Sequence, residues 1–312
     1  MIDISRIPLI GEALSLAAAI SWAFAVILFK LSGQLASPLA LNLFKNTLSM
    51  LLFVPTILLV PGLIHDWHDI STTDLGILCL SGFLGIAIAD VLFFYGLDLL
   101  GVGLLSITEC AYTPFVLLMS VLLLGERPSA FGVFGAVLVV SGVLAASGHA
   151  PPAGRTTRQI VLGIVCGLAA MGTMAFGIVY AKPALERVPL LWAATIRMAA
   201  GTAPLWILAL LVPSRRKDIP VVLRPSANWR YMAPAAFLGT YLAFICWLGG
   251  YKYTTPTIAA VLNQSSTAFS LVLATLLLRE PMTLRKALAV GLAASGALIV
   301  ALSRAWTEGV TA

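Results

Sequence analysis

The pattern along the chain is a series of long apolar runs separated by short polar breaks. A helix crossing the hydrocarbon core of a bilayer needs about 20 mainly apolar residues. The sequence offers about ten such runs, with cores near 11–30, 38–60, 74–95, 101–124, 129–147, 160–180, 190–212, 231–251, 255–278 and 284–304. The breaks carry turn chemistry: Ser32-Gly33, Pro61-Gly62, Gly101 to Gly103, Gly125 to Pro128 and Pro151-Pro152. Patches rich in Val and Ile occur, but the runs are apolar on every side. Strands of a membrane barrel alternate polar and apolar residues over about ten positions. The pattern therefore predicts helices.

An internal repeat organises these spans. Lys30 and Lys182 are 152 positions apart, and so are Lys45 and Arg197. Ala23-Phe24 matches Ala175-Phe176 at the same offset. Further on the offset is 154: Phe83-Leu84-Gly85 matches Phe237-Leu238-Gly239, Gly96 matches Gly250, and Ser141-Gly142 matches Ser295-Gly296. The change of two falls between the second and third spans, where a loop absorbs it. Each half holds five spans. Five is odd, so the second copy enters the bilayer from the opposite face. The expected fold is an all-α integral membrane protein of about ten transmembrane helices, arranged as two inverted five-helix repeats. The copies are placed at 1–148 and 159–312, with a linker at 149–158. Such repeats are related by a pseudo-two-fold axis in the membrane plane, and many secondary transporters place their substrate site near the midplane between them.

Composition agrees. Residues of the AVILMFWYC set make up 60% of the chain and charged residues 10%, against about 45–50% and about 25% in soluble domains. This excludes a disordered chain, a coiled coil and a nucleic-acid-binding protein. The net charge of +6 sits mainly between apolar runs, as topology signals and headgroup contacts. Cys79, Cys110, Cys166 and Cys246 each stand alone in an apolar run and read as small buried hydrophobes. His65, His68 and His149 do not make a metal set. No cofactor and no metal are expected. The chain has no G-x-x-x-x-G-K-[ST] phosphate loop, G-x-S-x-G elbow or H-E-x-x-H, so an enzyme is not expected.

The tracts Leu-Gly-Glu-Arg-Pro at 124–128 and Leu-Arg-Glu-Pro at 278–281 each end one long span and begin another. Each is followed about 15 residues later by Ser-Gly. A basic residue lies early in the second span of each half, in Leu-Phe-Lys45-Asn and Thr-Ile-Arg197-Met. With these features the chain resembles the drug/metabolite transporter superfamily in its ten-span form with two EamA domains. The likeness extends to bacterial amino-acid and metabolite exporters, including the aromatic-amino-acid branch. Two positions depart from the commonest pattern of that family: Lys45 stands where Arg is usual, and Arg279 where Gly is usual. The resemblance implies a multi-pass protein of the bacterial inner membrane, acting as a monomer on a small-molecule substrate in the lipid bilayer. No nucleic acid partner is expected, and protons are a candidate co-substrate.

An ionised side chain at mid-membrane costs roughly 2.5–3.5 kcal/mol on insertion scales, so it needs a partner, water or a function. Glu109 lies about eight residues, or ~12 Å, into its span, near the middle of the core. Its repeat mate is Asn263, while Cys110 maps to Gln264 and Thr113 to Thr267. Glu109 and Thr113 at i, i+4 share a helix face, as do Asn263 and Thr267. Two polar stripes would then face each other across the axis, lining a cavity or joining the helices by hydrogen bonds. Trp22, Tyr95, Tyr112 and Trp247 lie beside polar positions and complete the expected substrate-binding set, with Tyr241 as a further aromatic candidate. Asp90, Lys45 and Arg197 are assigned to gating or charge pairing. Pro114, five residues after Glu109, can bend the fourth span.

Charge bias puts the termini outside, with about six basic residues on their side and about eleven on the other. The resemblance implies cytoplasmic termini, so the two expectations conflict. The function expected is secondary export of amino acids or related small metabolites by alternating access. Drug or other metabolite efflux is the alternative within transport, and a membrane-bound enzyme or scaffold stands outside it.

Overall fold

The computed structural model describes residues 7–31, 38–60, 63–146, 155–213, 216, 219–220, 224–279 and 282–309. Ser32-Gly33, Pro61-Gly62, His149, Pro151-Pro152, Glu280 and the side chains of Lys30 and His65 lie outside the described residues.

Among the described residues ten main helical runs order the chain, with a short helix, Leu63–Asp66, between the second and third. They are α1 (Ile10–Leu31), α2 (Pro38–Leu59), α3 (Thr72–Gly82, continuing through a π segment, Phe83–Ile88, into Ala89–Glu109) and α4 (Tyr112–Leu124). α5 is Ala130–Ala146, α6 Thr157–Arg187 and α7 Leu190–Leu211. α8 is Trp229–Ala236 with a π segment, Phe237–Leu242, leading into Ala243–Tyr253. α9 is Pro256–Gln264 followed by Ser266–Leu278, and α10 is Leu284–Gly309. No strand occurs among the described residues. Seven of the helical runs are long and apolar enough to cross a membrane. Three shorter apolar helices, Tyr112–Leu124, Ala130–Ala145 and Ala287–Leu302, complete the ten passes.

Local chemistry sets several ends. Thr156 and Gln159 form a reciprocal capping box at the start of α6, which satisfies two amide donors at once. Ser71 caps α3 by accepting from the Asp74 amide at 3.0 Å. Asp74 also receives the Arg187 guanidinium at 2.5 Å, which ties the start of α3 to the end of α6. Thr255 caps α9, with Pro256 at its first position.

Helical hydrogen bonding continues through Gly101 to Gly103, where the sequence predicts a break. The chain nevertheless reverses there. A Cβ on Gly96 would lie 3.2 Å from Leu105 Cδ1, whereas nine residues of straight helix span about 13.5 Å. Gly96 and Thr108 both lie against Gly167. The reversal is made by bending a helical chain instead of ending it.

The two copies meet through reciprocal contacts. Gly11 touches Thr254, and Gly163 touches Leu100. Gly250 touches Ser15, and Gly96 touches Gly167. Gly239 touches Ala25, and Gly177 touches Gly85. In α5 and α10, Gly142 touches Ala289 and Gly296 touches Gly135. Each second pair is the first one carried over by the sequence offsets of 152 and 154. Contacts in which i meets j and j meets i define a two-fold relation. With five passes per copy, that axis lies in the membrane plane and the second repeat is inverted. Small residues at these points let backbones approach closely, as helix pairs in lipid require. α1 packs on α8, and α6 packs on α3.

Candidate functional site

The interior between the copies is built on α2 and α7, which occupy equivalent places. On α2 the buried amides Asn42 and Asn46 are one turn apart, with Lys45 between them and buried Ser49 beyond. Lys45 Nζ donates to Asn46 Oδ1 at 3.3 Å, Asn46 Nδ2 to Asn42 Oδ1 at 3.1 Å, and Asn42 Nδ2 to Asp90 Oδ2 at 2.6 Å. The chain of bonds carries a cation on α2 to a carboxylate on α3. Lys45 and Asp90, assigned to gating or charge pairing, are thus linked through two amides and not by direct contact. Aligned hydrogen bonds in a low-dielectric interior reinforce one another.

On α7 the equivalent residue is Arg197, only 1% exposed. One Nη donates to Ser81 Oγ of α3. The guanidinium carbon lies 5.6 Å from the centre of the Trp247 ring of α8, within cation–π range. Trp247 meets Tyr251 edge-on at 5.0 Å, and Tyr251 shares a 2.7 Å hydroxyl–hydroxyl bond with Tyr112 of α4. The cluster therefore joins α3, α4, α7 and α8. Arg197 Nε has no hydrogen-bond partner, and Arg197 enters no ion pair among the described residues. A cation buried at this depth without an anion costs a few kcal/mol, on the order of the 2.5–3.5 quoted for insertion.

The stripes on α4 and α9 are interrupted. Glu109 ends one helical segment and Tyr112 begins the next. Asn263 and Thr267 are separated by the same kind of step at Ser265. The i, i+4 reading across each step is thus modified: a kink lies between the members of each pair. Across the copies, Gln264 Nε2 reaches the backbone carbonyl of Glu109 at 3.5 Å, and half-buried Glu109 stands at that junction. Asn263 turns back to the Ala259 carbonyl at 2.8 Å. The Thr113 hydroxyl is buried and has no partner among the described residues. Trp22 packs near Gly239 and is 40% exposed, and Tyr95 is 49% exposed. Neither joins the Arg197 cluster. Tyr241 Oη bonds Thr56 Oγ1 at 2.5 Å, linking α8 to α2.

At the face carrying the termini, a cleft of about 820 Å³ is lined by the α4–α5 turn, the end of α6 and the α8–α9 junction. Two lysines tie its wall. Lys182 Nζ of α6 donates to the carbonyls of Lys252 and Thr254 at 2.9 and 3.1 Å. Lys252 Nζ of α8 donates to the carbonyls of Leu185, Glu186 and Val188, the last two at 2.9 and 2.8 Å. Each helix end is thus closed by an ammonium from the other, which satisfies its final carbonyls. Lys182, the repeat mate of Lys30, is 8% exposed. Buried Glu12 of α1 accepts from Thr254 Oγ1 at 2.7 Å beside it.

The structure thus gathers Arg197, Trp247 and Tyr112 in one cluster, and Glu109 with Gln264 in another. Ser81, Tyr251, Asn42 and Asn46 were not anticipated. The amides were visible as an i, i+4 polar pair, and Tyr251 as the aromatic one turn after Trp247.

Two five-pass copies, the second inverted, surround a polar interior and make a multi-pass membrane protein. The chain belongs to the EamA-like transporter family, whose model matches residues 9–148 and again 161–302. Membership points to a transporter and not an enzyme. An uncharacterized transporter of Archaeoglobus fulgidus is 26% identical over 286 residues, covering 91% of this chain and 95% of the relative. A protein of known crystal structure, 19% identical, superposes with a TM-score of 0.76 over 96% of this chain and 98% of its own. That likeness shows the fold.

Proposed function

We propose that the protein is a secondary exporter of amino acids or related small metabolites in a bacterial inner membrane, working by alternating access. The observation that carries this reading is the reciprocal interface. Because α1 meets α8 through the residue pairs by which α6 meets α3, the copies can exchange conformations between states of similar energy. A site between them then faces one side or the other. The interior suits a small polar solute: a few placed polar groups and aromatic rings in an apolar shell.

Counterflow into liposomes holding the purified full chain tests it. Labelled amino acids accumulate when unlabelled solute is inside and not in protein-free vesicles. Absence of counterflow for amino acids and small metabolites alike overturns the reading. An imposed pH gradient separates proton coupling, which changes the rate, from facilitated diffusion, which does not. Glu109→Gln lowers flux in folded protein. Wild-type transport by that variant at every pH removes Glu109 from the pathway.

A further inference from the structure

Arg197 is a buried cation that enters no ion pair among the described residues. Its guanidinium is fixed on one side by Ser81 Oγ and on its face by Trp247. Its Nε points to no acceptor among the described residues. The repeat explains why this is not the ordinary fate of the position. At the equivalent place Lys45 is led to Asp90 through Asn42 and Asn46. The residues at the corresponding places in the second copy are Ala194, Met198 and Phe244. The acid and both amides have been replaced together, while the cation is kept and buried.

We infer that Arg197 binds the carboxylate of the transported solute, with Trp247 beside it against the solute's apolar part. This rests on the exporter reading and adds the chemical class it selects. A guanidinium presents Nε and Nη as a planar fork that matches a carboxylate. The residues around it (Ser81, Trp247, Tyr251 and Tyr112) bring no second cation, which suits a singly charged carboxylate better than a phosphate dianion. Gly85 lies beside the guanidinium: a Cβ there would stand 3.6 Å from the second Nη, at ordinary contact distance.

The test uses the full chain in detergent and in liposomes, with L-phenylalanine, phenylacetate and the neutral amide of each as probes. Binding is read by titration calorimetry and by quenching of tryptophan fluorescence. The wild type binds each acid at least about tenfold more tightly than its amide, as expected for hydrogen bonds to a charged group. Arg197→Gln loses that preference, and Arg197→Lys keeps part of it. Ser81→Ala leaves the charge in place and weakens acid binding less than Arg197→Gln does. Equal affinity for acid and amide, no binding of any probe at millimolar concentration, or an unchanged preference in folded Arg197→Gln overturns the inference. Carboxylate-selective binding without counterflow leaves this site standing and removes the exporter reading. Counterflow without carboxylate preference does the reverse.

Discussion

α2 and α7 are one helix used twice, and they solve the same problem in opposite ways. Both carry a cation seven or eight residues from their start, against the third helix of the first copy. α2 surrounds Lys45 with amides and conducts its charge to Asp90. α7 surrounds Arg197 with Ala194, Met198 and Gly201, all buried, and leaves the guanidinium short of an acceptor. The backbone symmetry therefore does not extend to charge. Within a duplicated scaffold, unequal side chains lead one cation to a carboxylate through amides and leave the other without an ion pair among the described residues.

The largest effect expected from breaking this contrast is at Asp90. Asp90→Ala strands Asn42 and, behind it, Lys45, and should cost about 3 kcal/mol, as for a buried donor that loses its charged acceptor. Arg197→Gln should leave the thermal midpoint in detergent unchanged or raise it, because no acid is abandoned. Equal losses in the two variants would erase the difference between the helices. Next comes Gly82, where a Cβ would collide with the Arg197 backbone carbonyl. Its repeat mate is Ala236, so Gly82→Ala makes the copies alike in sequence. It should lower stability by about 2 kcal/mol through overpacking, seen as a lower melting midpoint.

A gain of roughly 1 kcal/mol is expected from Arg279→Gly. Arg279 ends α9 at φ 55°, as its mate Gly125 ends α4 at φ 65°. The left-handed conformation costs a residue with a Cβ about 1–2 kcal/mol, and glycine avoids it. A calorimetric midpoint that does not rise would count against strain at this turn. The smallest effect concerns the kinks. Ala111 and Ser265 are repeat mates, and each lies at a step between helical segments. In the first copy Pro114 removes an amide donor nearby. In the second, Asn263 and Ser265 bond back to the Ala259 and Leu262 carbonyls at 2.8 and 2.5 Å, competing with the backbone ladder. Ser265→Ala should lower stability by about 0.5 kcal/mol, the low end for a lost hydrogen bond, while reducing the bend, measurable by spin-label distances along α9.

Much of the architecture was legible because it is written twice. The offsets of 152 and 154 return as contact pairs, and Ser-Gly at both copy ends returns as the α5–α10 contact. The reversal near Gly101 was readable, whereas its helical backbone was not. Glycine permits a bend without stating whether hydrogen bonding continues through it. The site was less legible. Single ionisable residues in apolar runs, such as Glu109 and Arg197, are conspicuous, but whether each has a partner depends on a neighbouring helix. The Asn42–Asn46 pair looks like ordinary helix polarity until Asp90 is brought beside it. The α9 kink has no proline to mark it.

The π segments Phe83–Ile88 and Phe237–Leu242 stand at matching places in the two copies. Such a segment holds one residue more than the α-helical path needs. That surplus can be passed along a helix one hydrogen bond at a time, and each residue it crosses rotates by about 100°. In α8 the residues just beyond it lead to Trp247 and Tyr251. A reshaped aromatic wall therefore requires only a migrating loop of backbone, with no unwinding of the helix in oil.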